Sequence, residues 1–262
     1  MNLGLQGRRA LVGGATSGLG AAVARAIAAE GADVLLWARD DARLVATAAD
    51  LRDATGVRVE TVAADATRPD ATELVLAAVR DRFGGVDIAV LNAGGPPPVD
   101  PVATTPEGWR EALQLLLLTP VGVATGLLPG MRDRGWGRIA AVLSSGVREP
   151  IPNLVYSNAG RSALVAWLKT ASAAVAADGV TINGVVPGRI ATARTEALDR
   201  GRAAAEGTTT EDVRLASEAT IPSRRYGTPD EFAAAVAFLV SDRASYQTGS
   251  LVRVDGGLLR ST

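Results

Sequence analysis

The chain has no cysteine, no histidine and one lysine, Lys169, among 262 residues. Without Cys, disulfides and thiolate metal sites are excluded. Without His, both the commonest metal ligand and the usual proton-transfer side chain are missing. A carboxylate metal site would need an acidic cluster, and none is visible, so no metal is expected. Charge is nearly balanced, with a net value of −1. That leaves no electrostatic footprint for nucleic acid or an anionic membrane. Abundant Arg and Ala beside a single Lys read as a coding bias without functional content. The N-terminus, Met1-Asn2-Leu3-Gly4-Leu5-Gln6, lacks the charged and apolar regions of a secretory leader. The longest apolar stretches read as too short for a membrane span. The expectation is a cytoplasmic protein acting on a small molecule.

What is present is apolar material in a regular alternation. Hydrophobic residues make up 47% of the chain, enough for one large core. Short β-type runs are predicted at Arg9–Gly13, Asp33–Trp37, Arg58–Ala63, Val86–Leu91, Arg138–Leu143, Thr181–Val186 and Ser250–Val254. Helices are predicted between them at Leu19–Glu30, Asp41–Thr55, Asp70–Phe83, Glu107–Arg134, Ser157–Ala177 and Pro229–Ser241. Strands alternating with helices imply an α/β chain with a doubly wound parallel sheet of about seven strands, Rossmann type, in a single domain over 1–262. Runs such as Ile88-Ala89-Val90-Leu91 fit strands buried on both faces. Thr228 before Pro229, Asp230 and Glu231 is a strong helix-start signal. The stretch 189–225 lacks sheet or core character and follows a strand's C-terminal end, where such sheets bind ligands. It reads as a mobile substrate lid, or more plainly as a surface insertion. Its charges are mixed, which suits a solvated helical lid better than a dedicated anion pocket.

The motif with the most chemistry is Gly14-Ala15-Thr16-Ser17-Gly18-Leu19-Gly20, between a predicted strand and an Ala-rich helix. Glycines permit a sharp turn and close approach of a diphosphate. The helix N-terminus then offers free N–H groups and partial positive charge. The plain alternative is an ordinary tight turn.

With Gly13 before it, this motif is similar to the glycine signature of the short-chain dehydrogenase/reductase family, Thr-Gly-x3-Gly-x-Gly, with Thr replaced by Gly13. Leu91-Asn92-Ala93-Gly94, Pro187-Gly188 with Ile190 and Thr192, Thr248-Gly249 and Asp255-Gly256-Gly257 extend the resemblance over nearly the whole chain. It implies a nicotinamide coenzyme held by Gly14, Thr16, Ser17, Gly18, Leu19, Gly20, Asp65, Ala66, Asn92, Ala93, Gly94, Arg161, Pro187, Gly188, Ile190 and Thr192. By the same resemblance, Asp65 would contact the adenine and Thr192 the nicotinamide carboxamide. Members preferring NAD carry Asp at the end of the second strand; here Ala38 and Arg39 stand there. A guanidinium pairs with a 2′-phosphate, so NADP(H) is expected, with Arg43 as a helper.

The resemblance also implies a catalytic Ser, a Tyr thirteen residues later, a Lys four beyond that, and an Asn in the preceding helix. In the register set by Gly137-Arg138-Ile139 these positions hold Ser144, Ser157, Arg161 and Leu116. A second register uses Tyr156 as the Tyr and puts Gly160 and Leu143 in the other two places; it also breaks the set. A Ser hydroxyl is a far weaker acid than a phenol. Arg161 can still bind ribose hydroxyls. Tyr156 and Glu149 are further candidate acids; otherwise they are a packed aromatic and a solvated loop charge. Pro120 lacks the N–H that would bond the Leu116 carbonyl, so a kink and a freed carbonyl for a water are expected there. Pro96-Pro97-Pro98 and Pro150-Ile151-Pro152 would stiffen the pocket rim. The helix through Leu113–Leu118 is apolar all round and needs burial. The family packs this helix and the one holding Ser157 against a second subunit, implying a homodimer or homotetramer, with Leu258-Leu259 as a second contact.

These observations point to an NADP(H)-dependent oxidoreductase of carbonyl and alcohol substrates, resembling a 3-oxoacyl reductase. Two other readings stay open: a non-redox enzyme on the same fold (cyclase, dehydratase or isomerase), and a catalytically silent nucleotide binder.

Overall fold

The computed structural model describes residues 1–261. Seven strands form one sheet: β1 (Arg9–Gly13), β2 (Asp33–Ala38), β3 (Val59–Ala63), β4 (Ile88–Leu91), β5 (Gly137–Val142), β6 (Val180–Pro187) and β7 (Leu251–Val254). Their order is β3-β2-β1-β4-β5-β6-β7, and every neighbouring pair is parallel. Successive strand residues point to opposite faces. Leu11, Leu35 and Ala89 enter one core, and Ala10, Val12, Val34 and Ile88 the other. Both faces are therefore apolar, which is why the strands read as unbroken hydrophobic runs.

Helices α1 (Gly18–Ala29), α2 (Asp41–Thr55) and α9 (Pro229–Leu239) cover one face. Helix α3 (Ala71–Phe83) and the two long helices described next cover the other. Local chemistry sets the boundaries. The Asp40 carboxylate accepts the Arg43 N–H to start α2. At α9, Thr228 and Glu231 form a reciprocal capping box with Pro229 in the first turn, as the sequence signal required.

The expected helix over 107–134 is present but interrupted. It runs as α4 (Pro106–Leu113), a π-helical turn at Gln114–Leu118, and α5 (Thr119–Asp133). The Thr119 N–H bonds the Gln114 carbonyl five residues back. This one-residue widening falls just before Pro120, whose missing N–H a regular helix would have to accommodate. The discontinuity expected from Pro120 is thus a π-turn. Thr119 fixes it: its hydroxyl donates to the Ala66 carbonyl at 2.9 Å and accepts from Gln114 Nε2 at 2.9 Å. One expectation is corrected here. The span Pro106–Asp133 is long and apolar enough, by length and composition, to cross a membrane. In the fold its buried face packs against α3 and α6 (Val155–Val175).

The stretch 189–225 holds two helices, α7 (Ala193–Glu206) and α8 (Thr210–Thr220), packed on each other. It is pinned at a buried carboxylate. Asp199 takes an ion pair from Arg189 and accepts the Tyr226 hydroxyl at 2.9 Å.

Candidate functional site

The strand order reverses between β1 and β4, with β2 and β3 added on one side and β5 to β7 on the other, so a crevice opens at the C-terminal ends of these strands. Its floor is the glycine turn. Gly14 and Gly18 have φ of +60° and +54°, which side-chain-bearing residues rarely adopt. A Cβ on Gly20 would be driven into the Gly14 carbonyl oxygen, so α1 can approach the turn only because this position is bare. The Asn92 carboxamide crosses from the end of β4 and donates to the Gly13 carbonyl at 3.1 Å. Ser17 at the start of α1 is extended and makes no side-chain cap, leaving the first helical N–H groups aimed at the crevice. A bare turn under an open helix start fits a diphosphate.

One end of the crevice lies at the end of β2. Arg39 is exposed there, and Arg43 Nη2 donates to the Thr16 carbonyl at 3.3 Å. The Asp65 carboxylate accepts the Thr67 N–H at 3.0 Å and its hydroxyl at 2.9 Å. The Thr67 backbone bond, helped by the Thr67 hydroxyl and by Arg39 and Arg68, holds this carboxyl below its usual range against the effect of burial. On the opposite wall, the Gly188 N–H bonds the Val254 carbonyl, and a Cβ on Gly188 would lie 2.6 Å from Asp255 Cα. Ile190 is buried, and Thr192 caps α7 by accepting the Thr195 N–H. The Thr192 methyl faces Gly18, so the start of α7 stands over the glycine turn.

The other end, which holds the candidate catalytic residues, is built from the loop after β5 and the first turns of α6. Ser144 is extended, and its Oγ accepts the Gly146 N–H at 3.1 Å. Asn158 clamps this loop to α6 by donating to the Ile151 carbonyl at 2.9 Å. Ser157 is buried in the first turn of α6, and Arg161 is buried one turn further on. Arg161 Nη1 donates to the Val142 carbonyl at 2.6 Å. Its Nη2 faces the Ala93 and Gly94 carbonyls at 3.4 and 3.5 Å. Burial, and secondarily the charge of Arg194, pull the Arg161 pKa down to about 10, which still leaves a cation at neutral pH. This arginine stitches the end of β5 to the loop after β4.

Tyr156 points elsewhere. Its phenolic oxygen accepts the Thr105 N–H at 2.9 Å, and its ring meets Trp109 edge-on at 4.8 Å. The phenol is thereby committed to the start of α4, as a packed aromatic with a satisfied hydroxyl. Glu149 is not a free loop charge: its Oε1 accepts the Arg260 and Ser261 N–H groups at 2.8 and 3.1 Å, tying down the C-terminal segment. Leu116 packs on α6, where a Cβ on Gly160 would lie 3.0 Å from its own Cβ. No group of metal-ligating side chains occurs among the described residues.

One residue of the crevice escaped the sequence reading as a site candidate. Arg194, in the first turn of α7, reaches across the cleft and donates to the Pro96 carbonyl at 2.9 Å. The available signal was its place two residues after the cap Thr192, where a cation opposes the helix dipole.

Known proteins are similar to this chain over nearly its whole length. A family model described as enoyl-(acyl carrier protein) reductase matches residues 14–259. The 3-oxoacyl-(acyl-carrier-protein) reductase FabG of Vibrio cholerae is 34% identical over 258 residues, covering 98% of this chain and 99% of that protein. The D-beta-hydroxybutyrate dehydrogenase of Cupriavidus necator is 33% identical, covering 97% and 98% of the two chains. Among solved structures, L-sorbose reductase from Gluconobacter frateurii, complexed with NADPH and L-sorbose, superposes with a TM-score of 0.95 at 34% identity, covering both chains completely. An actinorhodin polyketide ketoreductase with NADPH gives 0.92 at 31% identity, covering 97% and 98%. Fold, crevice and relatives agree: the chain belongs to the short-chain dehydrogenase/reductase family.

Proposed function

We propose that the protein is an NADP(H)-dependent oxidoreductase with an altered proton-transfer site, acting on a carbonyl or alcohol of 3-oxoacyl-like substrates. The observation that carries this reading is the crevice itself: a bare glycine turn under an open helix start at one end, and Ser144, Ser157 and Arg161 at the other. NADP(H) is favoured over NAD(H) by Arg39 and Arg43 beside the turn, with Ala38 where a ribose-binding carboxylate would repel a 2′-phosphate. The structures of related reductases with NADPH support the same choice.

In the reductive direction the carbonyl carbon gains a hydride, its oxygen gains a proton, and an alcohol and oxidised coenzyme result. When bound, the coenzyme supplies the hydride chemistry. The protein supplies orientation and the proton path. Ser144 presents a hydroxyl to the substrate oxygen from a loop clamped by Asn158. Ser157 stands where a phenol is expected, and its hydroxyl relays a proton from solvent. Arg161 replaces the expected lysine; its fixed charge stabilises negative charge developing nearby while its N–H groups hold the Ala93–Gly94 loop. Loss of one acid–base group slows such a reaction by about 10²–10⁴-fold without abolishing it.

A second reading, a coenzyme binder without redox turnover, is favoured by one feature: the Arg161 donors already serve backbone carbonyls. Mixing purified protein with NADPH and a panel of ketones and 3-oxoesters, while following nicotinamide absorbance, separates the two. Oxidation of NADPH supports the reductase; tight binding without oxidation at high enzyme supports the second reading. The assembly we infer is a homodimer or homotetramer, formed over the exposed apolar side of α5 and α6, where Leu118 is exposed and Val121, Leu128, Val165 and Trp167 are only partly covered. Light scattering of the purified protein tests it.

A further inference from the structure

The loop after β4, Ala93–Pro96, is gripped from two sides by arginines. Arg161 approaches the Ala93 and Gly94 carbonyls from α6. Arg194 approaches from the start of α7 and donates to Pro96, and a Cβ on Gly95 would lie 3.4 Å from its Nη2. The two guanidiniums are close enough for the charge of Arg194 to weaken the proton affinity of Arg161. Neither lies within ion-pair distance of a carboxylate among the described residues; their partners are carbonyl oxygens alone. Arg194 also sits at the positive end of the 14-residue helix α7, where a cation is disfavoured. Three positive features thus converge on the substrate side of the crevice, with only carbonyl dipoles to balance them.

Such an arrangement is unfavourable alone and becomes favourable around an anion. Arg194 is exposed and makes a single hydrogen bond among the described residues, so most of its planar fork of donors is free to take a carboxylate bidentately. We propose that Arg194 is a specificity residue that binds the carboxylate of an oxo-acid or hydroxy-acid substrate, exchanging its bond to the Pro96 carbonyl for that carboxylate as the lid settles. Arg161 contributes long-range attraction and remains bonded to its carbonyls. The inference rests on the oxidoreductase reading for the reacting carbonyl, but the anion site stands on its own geometry.

The test compares acids with their neutral methyl esters: pyruvate, acetoacetate and levulinate, each against its ester, with NADPH. For the acid whose length fits, wild type favours the acid in kcat/KM. Arg194→Met lowers that acid-to-ester ratio by about tenfold or more, as loss of a charge-assisted pair requires. The loss falls mainly on KM, the ester rates hold, and the NADPH dissociation constant stays within about twofold, since phosphate binding lies with the glycine turn and Arg39. Arg194→Lys restores part of the ratio. An unchanged ratio in Arg194→Met overturns the proposal, as does a fall confined to NADPH affinity, which would assign the arginine to the coenzyme phosphates. If no substrate oxidises NADPH, the hydride-transfer reading fails, and calorimetry of the same acids with NADPH-saturated protein decides this one. Binding by wild type and loss in Arg194→Met sustain it; no binding by wild type overturns it.

Discussion

Two groups of arginines at opposite ends of the strands are treated in opposite ways. At the N-terminal ends, Arg9 and Arg134 converge on the buried carboxylate of Asp87 at 3.0 and 3.1 Å. Burial would raise the Asp87 pKa, but the Arg9 side-chain and backbone bonds and the Arg134 charge bring it below its ordinary value. At the C-terminal ends, Arg39 and Arg43 at one end of the crevice and Arg161 and Arg194 at the other have no carboxylate within ion-pair distance among the described residues. The Arg9–Asp87–Arg134 cluster is neutralised within the fold, whereas the four crevice arginines are not.

The largest expected effect tests the end that holds the candidate catalytic residues. Ser157→Tyr combined with Arg161→Lys returns a phenol and a short cation, and ketone reduction by NADPH should rise by about 10²–10⁴-fold in kcat. An unchanged rate would mean that the crevice does not present a substrate carbonyl at α6. Next comes the neutralised cluster. Asp87→Asn leaves two arginines without their carboxylate and should cost about 3 kcal/mol at pH 7 by denaturant titration. A carboxyl with a depressed folded pKa stabilises above its unfolded value and loses that contribution as pH falls through its folded value. The gap between Asp87→Asn and wild type should therefore close as pH drops below about 4; a gap constant down to acid pH would contradict this assignment. Smaller is the effect of Arg39→Ala, which should weaken NADPH about tenfold and leave NADH unchanged, because only the 2′-phosphate needs a cation there. The smallest belongs to Glu231, exposed in the capping box of α9, whose carboxyl is held at about 2, first by Arg225 and then by the Thr228 N–H. Glu231→Gln should lower the melting temperature slightly at pH 7, with the difference vanishing near pH 2 as the native carboxylate protonates.

The fold was legible in the sequence because a parallel sheet buried on both faces writes its strands as apolar runs. β1 matches its expected limits, and the other strands shift by at most two residues. Two of the slips fall at polar residues, Arg58 before β3 and Asp87 before β4. The Thr228–Glu231 signal carried through because capping is local. The stretch 189–225 was legible only as polarity: α7 and α8 pack on each other and bury Asp199, Ala203 and Val213, with Asp199 bonded to Tyr226, contacts that composition does not express. The π-turn at Gln114–Leu118 was half legible, since Pro120 marks a missing donor but not how the helix absorbs it. Candidate site positions were read from motifs, while side-chain directions were not legible. Tyr156 turns to Thr105, Glu149 to the C-terminal segment and Arg194 across to Pro96, each because a distant backbone group offers a partner.

The proposed oxidoreductase activity requires a phosphorylated dinucleotide in the crevice, beside its arginines that are unpaired among the described residues. Titrating the wild-type protein with NADPH and NADH side by side, by nicotinamide fluorescence, tests that directly. Saturable NADPH binding at least about tenfold tighter than NADH is expected from a guanidinium–phosphate pair. Equal affinities would contradict the role of Arg39, and no binding of either would contradict the crevice as a coenzyme site.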